Sequence, residues 1–202
     1  MTSTLLQIVR GLLSPTRVVA DLIKSHQPDG GTGFIWSWHW AFFILSISTS
    51  LTLYIAPALI VPSWISWILL ALYLWLIPFS RCSEILFAFL DDALDQLGGR
   101  TARTSFTPIH RLQLAMRSYM EVVLNFATLY FLLPSAWFSK EFRTVVDAIY
   151  FSGVTITTVG YGDITPCQPP SQLLTLYEIL VGIILVVITF GVYIGKVGRG
   201  AA

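Results

Sequence analysis

Four long stretches of this chain run almost without charge: Phe34–Ala56, Trp64–Phe79, Tyr119–Trp137 and Leu173–Val197. At 1.5 Å of rise per residue, about 20 apolar residues cross the roughly 30 Å hydrocarbon layer of a bilayer. The pattern predicts four spanning helices. The second is short unless it recruits Leu59–Val61 or continues past Ser80. Pro57–Ser63 is then a tight, uncharged turn between the first two. Elsewhere the apolar positions recur at helical spacing with polar gaps. Over Met1–Ser25, Leu5, Ile8, Val9, Leu12 and Leu13, then Val18, Val19, Leu22 and Ile23, alternate with Arg10, Arg17 and Lys24, with a break near Ser14-Pro15. Such a segment either lies in the cytoplasmic leaflet or packs on the protein body. Pro28–Gly33 reads as a link.

Ser80–Leu97 has one apolar face (Ile85, Leu86, Phe89, Leu90, Leu94, Leu97) and one acidic face (Glu84, Asp91, Asp92, Asp95), and Gly98-Gly99 stops it. It reads as a helix leaving the membrane and as a contact for a cytoplasmic regulator. Gly99–Pro108 is a linker, and Pro108–Ser118 starts the next helix. Arg143–Ile156 is amphipathic and too short to cross. The fold class is all-α integral membrane, divided into an N-terminal interfacial segment (1–33), two N-terminal transmembrane helices (34–79), a cytoplasmic helical linker (80–117) and a C-terminal unit (118–202).

Composition supports a membrane protein: 55% of residues are apolar and 11% charged, against about 25% charged in soluble domains, and the mean hydropathy is +0.73. A net charge of +1 with no basic cluster gives no reason to expect a nucleic-acid partner. Met1–Leu13 lacks a basic start and is interrupted by Arg10, so no cleavable signal is expected. Of the 12 Lys and Arg residues, only Lys140 and Arg143 lie on one side of the predicted spans. The positive-inside rule then puts both termini in the cytoplasm. Cys82 and Cys167 fall on opposite sides and cannot pair within one chain. Trp36, Trp38 and Trp40 form an aromatic belt where the first span begins, with His39 as an interfacial polar contact. Glu121 and Asn125, in the third span, are expected to hydrogen-bond or pack against other helices. No His, Cys or Asp cluster has metal-ligand spacing, and no nucleophile–base pair stands out, so neither an enzyme nor a cofactor is expected.

The chemistry concentrates at Thr157–Asp163, Thr-Thr-Val-Gly-Tyr-Gly-Asp. Potassium is large and weakly hydrated, so neutral oxygens can replace its water. A loop that turns successive carbonyls toward one axis supplies them. An ordinary strand alternates its carbonyls, so some positions need φ > 0, which Gly160 and Gly162 reach without steric cost. The core, residues 158–162, resembles the selectivity filter of potassium channels. The longer string DAIYFSGVTITTVGYGDITP, from Asp147 to Pro166, is similar to the pore of voltage-gated and related bacterial potassium channels.

The resemblance implies potassium ligands at the carbonyls of Thr158, Val159, Gly160 and Tyr161, with Gly162 completing the filter. It implies a homotetramer with the pore on its axis, Arg143–Ile156 as the pore helix and Leu173–Val197 as the inner helix. Thr157 and Asp163 flank the filter. Tyr150 and Phe151 stand where family members commonly carry two tryptophans, whose role is a cuff bracing Tyr161; Tyr150 can also donate to Asp163. Glu178 resembles an inner-helix glutamate that packs behind the pore helix, with Ser152 or Thr155 as its partner. A lone carboxylate in hydrocarbon costs roughly 2.5–3.5 kcal/mol, so a partner is needed. Gly182 aligns with a gating-hinge glycine, with close packing as the alternative. Gly191 and Gly195 form a packing pair. Ile183, Val186, Phe190 and Ile194 share a stripe that lines the inner pore.

The function these features imply is passive potassium conduction across the plasma membrane, with lipid as the surrounding partner. The alternatives are a weakly selective cation channel and a non-conducting membrane sensor or subunit. The first two spans carry no arginine ladder, so steep voltage gating is not expected.

Overall fold

A computed structural model describes residues 2–27, 31–57, 67–99, 106–186 and 191. Phe190, Ile194, Gly195, the end of the predicted fourth span, residues 58–66 and the linker positions 100–105 lie outside that description.

The described residues form helices α1 (Thr2–Leu13), α2 (Pro15–Lys24), α3 (Thr32–Ile55), α4 (Trp67–Leu74), α5 (Ser80–Leu97), α6 (Pro108–Leu132), α7 (Val145–Ile156) and α8 (Pro169–Ile183). Among the described residues, three helical runs are long and apolar enough to cross a bilayer: Thr32–Ile55, Ile68–Leu97 and Pro169–Val186. Helix α6 has 25 residues, enough for the distance, but carries Arg111, Arg117 and Glu121. Val145–Ile156 is a shorter apolar helix.

Several boundaries move from the sequence reading, each for a local reason. The second apolar run continues past Ser80, the extension left open above. Pro78 lacks an N–H and crowds the carbonyl four residues back, and the helix accommodates it by widening into a π-helical turn over Trp75–Phe79 before continuing as α5. Span three stops at Leu132 rather than Trp137, because Leu133 precedes Pro134 and takes an extended conformation. Helix α8 starts at Pro169, ahead of the expected start of the span at Leu173, since proline suits a first helical position. Helix α7 starts at Val145, two residues later than expected. Asp147 accepts the Thr144 and Arg143 backbone N–H groups at 3.1 and 2.8 Å and caps it.

Of the two placements left open for them, helices α1 and α2 take the one on the protein body. Their charged side docks on α5: Arg10 and Arg17 pair with Asp91 at 3.2 and 2.7 Å. Ser14 and Thr16 hydrogen-bond Ser80. Their apolar side, including Ile8, Leu12, Val19 and Leu22, is exposed. The acidic face of α5 expected to meet a regulator is therefore partly covered by the chain's own N-terminus; Asp92 likewise pairs with Arg111.

The first turns of α5 are buried as well. Arg81, counted above among the cytoplasmic cations, is fully buried. Its Nε donates to Glu121 Oε1 at 2.6 Å and its Nη2 to His39 Nδ1 at 2.9 Å. Glu84 lies 2.9 Å from Nη1. His39 is thus a buried partner of Arg81 rather than an interfacial contact. The tryptophans of the belt have polar partners too: the Arg117 guanidinium sits between Trp36 and Trp40, 4.4 and 4.3 Å from their ring centres, and Trp38 Nε1 donates to Glu84 at 2.9 Å. Ser46 donates to Asn125 at 2.9 Å. These contacts fasten α3 and α5 to α6, which also carries α7. Breaking one side of a buried ion pair costs about 3–5 kcal/mol, whereas an apolar replacement of both sides is often neutral. Arg81→Met should therefore lower the thermal midpoint of the purified protein sharply, and Arg81→Met with Glu121→Leu should recover most of the loss in the same assay.

Candidate functional site: the loop after helix α7

Helix α7 ends at Ile156, and its last carbonyls hold the start of the loop. Thr157 N–H donates to Gly153 O at 3.2 Å, Thr158 N–H to Thr155 O at 2.9 Å and Val159 N–H to Val154 O at 3.1 Å. The Thr157 hydroxyl donates to Gly153 O at 2.6 Å. Beyond this clamp the backbone alternates. Thr158, Gly160 and Gly162 have φ of 59°, 57° and 77°, while Val159 and Tyr161 between them do not enter the left-handed region. A Cβ on Gly160 or Gly162 would meet nothing within 4 Å, so conformation rather than space explains the glycines. Thr158 takes the same conformation with a side chain, at a cost of about 1–2 kcal/mol. Its backbone N–H and its hydroxyl, which donates to Thr157 O at 2.7 Å, are both engaged.

The far end of the loop is pinned separately. Phe138 and Pro166 form an antiparallel bridge. Ser139 N–H donates to Thr165 O at 2.9 Å and Cys167 N–H to Trp137 O at 2.8 Å. The Ser171 hydroxyl donates to Trp137 O at 2.9 Å. The segment between the two clamps is exposed on the single chain, Tyr161 to 70%.

The predicted aromatic pair divides. The Tyr150 ring is parallel to Tyr161, 6.5 Å between centres. Phe151 faces the other way. It packs among Tyr130, Phe138 and Phe142 with ring centres 4.9, 5.8 and 5.8 Å away, so within the single chain its contacts brace the helix behind the loop. The three rings it meets were not singled out from sequence; aromatic residues near a span end carry no mark of a shared cluster.

Glu178 on α8 is fully buried. Ser152 on α7 donates to its Oε1, and Tyr130 on α6 donates to Oε2 at 2.6 Å. Ser152 Oγ is also 3.0 Å from the Val123 carbonyl. One carboxyl group therefore ties three helices together behind the loop. Ser152, of the two partners anticipated, is the one used; Tyr130 was not anticipated. Losing the acceptor here strands the buried Tyr130 hydroxyl, at about 1–3 kcal/mol, while Ser152 keeps the Val123 carbonyl. Glu178→Gln can still accept from Tyr130 and donate to Ser152, so it should stay within a few degrees of the parent midpoint, while Glu178→Leu should fall well below it.

Gly182 sits against the end of α7. A Cβ there would lie 2.6 Å from Ile156 Cγ1 and 2.9 Å from the Ile156 carbonyl oxygen. The side chain can yield; the carbonyl, one residue before the loop, cannot without moving it. Close packing is thus a sufficient reason for this glycine. Gly182→Ala should destabilise by about 1–3 kcal/mol from overpacking, outweighing the 0.8–1 kcal/mol (about) that alanine adds to a helix. Thermal unfolding of the variant, alone and with Ile156→Val, measures this, and only partial recovery is expected in the double variant. Ile183 and Val186 are exposed and belong to a surface that also includes Leu173, Leu176 and Leu180, recurring every three or four residues along α8.

Comparison with known proteins agrees with this geometry. Residues 118–198, which include α7, the loop and α8, match the family model described as "Ion channel", so this part of the chain is similar to ion channels. Over 54 residues the chain is 43% identical to "Two-pore potassium channel 2" of Arabidopsis thaliana, covering 27% of this chain and 12% of that one. It is 31% identical over 61 residues to "Potassium channel K1" of Plasmodium berghei, 30% of this chain and 3% of that one. It is 43% identical over 47 residues to "Voltage-gated potassium channel regulatory subunit KCNG1" of Homo sapiens, 23% and 9% respectively. The chain thus spans a small fraction of each of these relatives. No solved structure matches it significantly.

Proposed function

We propose that four copies of this chain assemble into a potassium-selective channel that conducts passively along the ion gradient. The observation that carries the proposal is the alternation of left-handed φ at residues 158, 160 and 162. Alternation of this kind turns consecutive carbonyls to one side, and four such loops around an axis offer the oxygen rings a dehydrated potassium ion requires. The ligands are the carbonyls of Thr158, Val159, Gly160 and Tyr161. The exposed faces of α8 and of the loop supply the contact between copies. Helix α7 points the negative end of its dipole toward the cavity beneath the loop, which favours a cation there.

In this reading α6 crosses the membrane as a fourth span, both termini are cytoplasmic and the protein resides in the plasma membrane. Four Asp163 carboxylates at the outer mouth concentrate cations. The inner pore is lined by Ile183 and Val186 and, further along, by Phe190 and Ile194. Helices α1 and α2 lay their exposed apolar side in the cytoplasmic leaflet. The similarity to a regulatory subunit favours a second reading, a pore fold that does not conduct by itself, and the sequence alternative of weak selectivity stands beside it. Planar-bilayer recording of the purified protein separates the three. The expected result is a reversal potential that follows the potassium gradient when sodium is the opposing cation. Reversal near zero under those conditions makes the channel non-selective, and absence of current with intact tetramers supports the subunit reading.

A further inference from the structure

The turn of α5 that follows the π-helical segment reaches four other helices. Ser80, Arg81, Cys82, Ser83 and Glu84 are all buried. Ser80 holds the start of α2 through Ser14 and Thr16. Glu84 accepts from Trp38 on α3, and Arg81 donates to Glu121 on α6. Ser83 lies 2.8 Å from the hydroxyl of Tyr177 on α8.

The direction of this last hydrogen bond follows from the protons available. Ser83 has one hydroxyl proton, and it goes to the Phe79 carbonyl at 3.0 Å. Tyr177 is therefore the donor and the Ser83 oxygen the acceptor. The ring of Tyr177 is held as well as its tip. Phe79, the last residue of the π-helical turn, and Phe126 on α6 lie 5.3 and 6.3 Å from it between ring centres. Removing the Tyr177 hydroxyl leaves Ser83 bonded to Phe79 and leaves these rings in contact, so no buried group is stranded. The bond acts on the placement of α8 more than on the stability of the fold.

That placement bears on the loop. Tyr177 precedes Glu178, whose carboxyl joins α8 to Ser152 and Tyr130. It stands a little over one turn before Gly182, which lies against the Ile156 carbonyl. Arg81 and Ser83 thus grip α6 and α8 from a single turn of α5, and α7 packs against both of those helices. We propose that Tyr177 is a positioning residue: through its hydrogen bond to Ser83 the N-terminal half of the chain sets α8 relative to α6, and with it the end of α7 and the first residues of the loop. The N-terminal helices then shape the loop without lining any pore. That the loop so held binds potassium rests on the function proposed above; the positioning does not.

The test is amide hydrogen exchange on the purified full-length protein, comparing Tyr177→Phe, Ser83→Ala and the double variant with the parent. The N–H groups of Thr157, Thr158 and Val159 donate to carbonyls of α7, so their exchange reports the grip on the loop. Each single variant should quicken exchange there at least threefold. The double variant should show no more than the larger single effect, since all three remove the same bond. Quickening confined to α5 and α8, or effects that add, overturns the proposal. Thermal midpoints in potassium chloride and in sodium chloride at equal ionic strength separate it from the channel reading. The parent should be the more stable in potassium, because an ion bound only by the folded state adds stability, and Tyr177→Phe should keep at most half of that difference. A parent indifferent to the cation overturns the channel reading and leaves the exchange result to decide the positioning. A parent that shows the difference, with variants that keep all of it, overturns the positioning alone.

Discussion

A backbone that offers successive carbonyl oxygens to one side must alternate between left- and right-handed conformations, and nothing local holds it there. Strand and helix both satisfy their own hydrogen bonds; residues 158–162 form neither. Glycine removes the steric cost at residues 160 and 162 but not the entropy of ordering them. Residue 158 bears a steric cost as well. The loop therefore depends on what grips its ends and backs its helix.

The grip comes in layers of different chemistry. Carbonyls of the last turn of α7 take the first N–H groups of the loop, and a short bridge between 138 and 166 fixes the exit. Behind α7, the rings of Tyr130, Phe138, Phe142 and Phe151 form an apolar backing. Within that backing sits one polar knot, Glu178 with Ser152 and Tyr130, joining the helices before and after the loop. A second knot around Arg81 attaches the N-terminal helices to α6. The two knots lie on the same helix, Glu121 toward one and Tyr130 toward the other. A displacement of α3 or α5 thus has a physical route to the back of the loop.

Sequence disclosed the loop, the apolar runs and the short helix before the loop, because these are local: glycines at fixed spacing, unbroken apolar stretches, a helix too short to cross. It also required a partner for Glu178, since a carboxylate in an apolar helix is costly alone. It could not disclose what depends on distant pairing. Arg81 reads as one more positive charge beside a membrane, and its partners lie 40 and 42 positions away. Proline ordinarily breaks a helix interior, yet a π-helical turn absorbs Pro78. Thr158 carries no mark of a left-handed residue, since only glycine advertises that conformation. Gly182 is legible as a glycine that matters, but the contact with Ile156 is visible only once two helices are placed together.

The central claim is that these loops meet on a common axis with their oxygens inward. Anomalous diffraction, or cryo-electron microscopy difference maps, of the purified protein with rubidium or thallium in place of potassium addresses it directly. The account predicts a file of ion density on a fourfold axis, level with residues 158–161 of each copy. Loops held apart from any axis, or a fourfold assembly with no ion density between them, would contradict it.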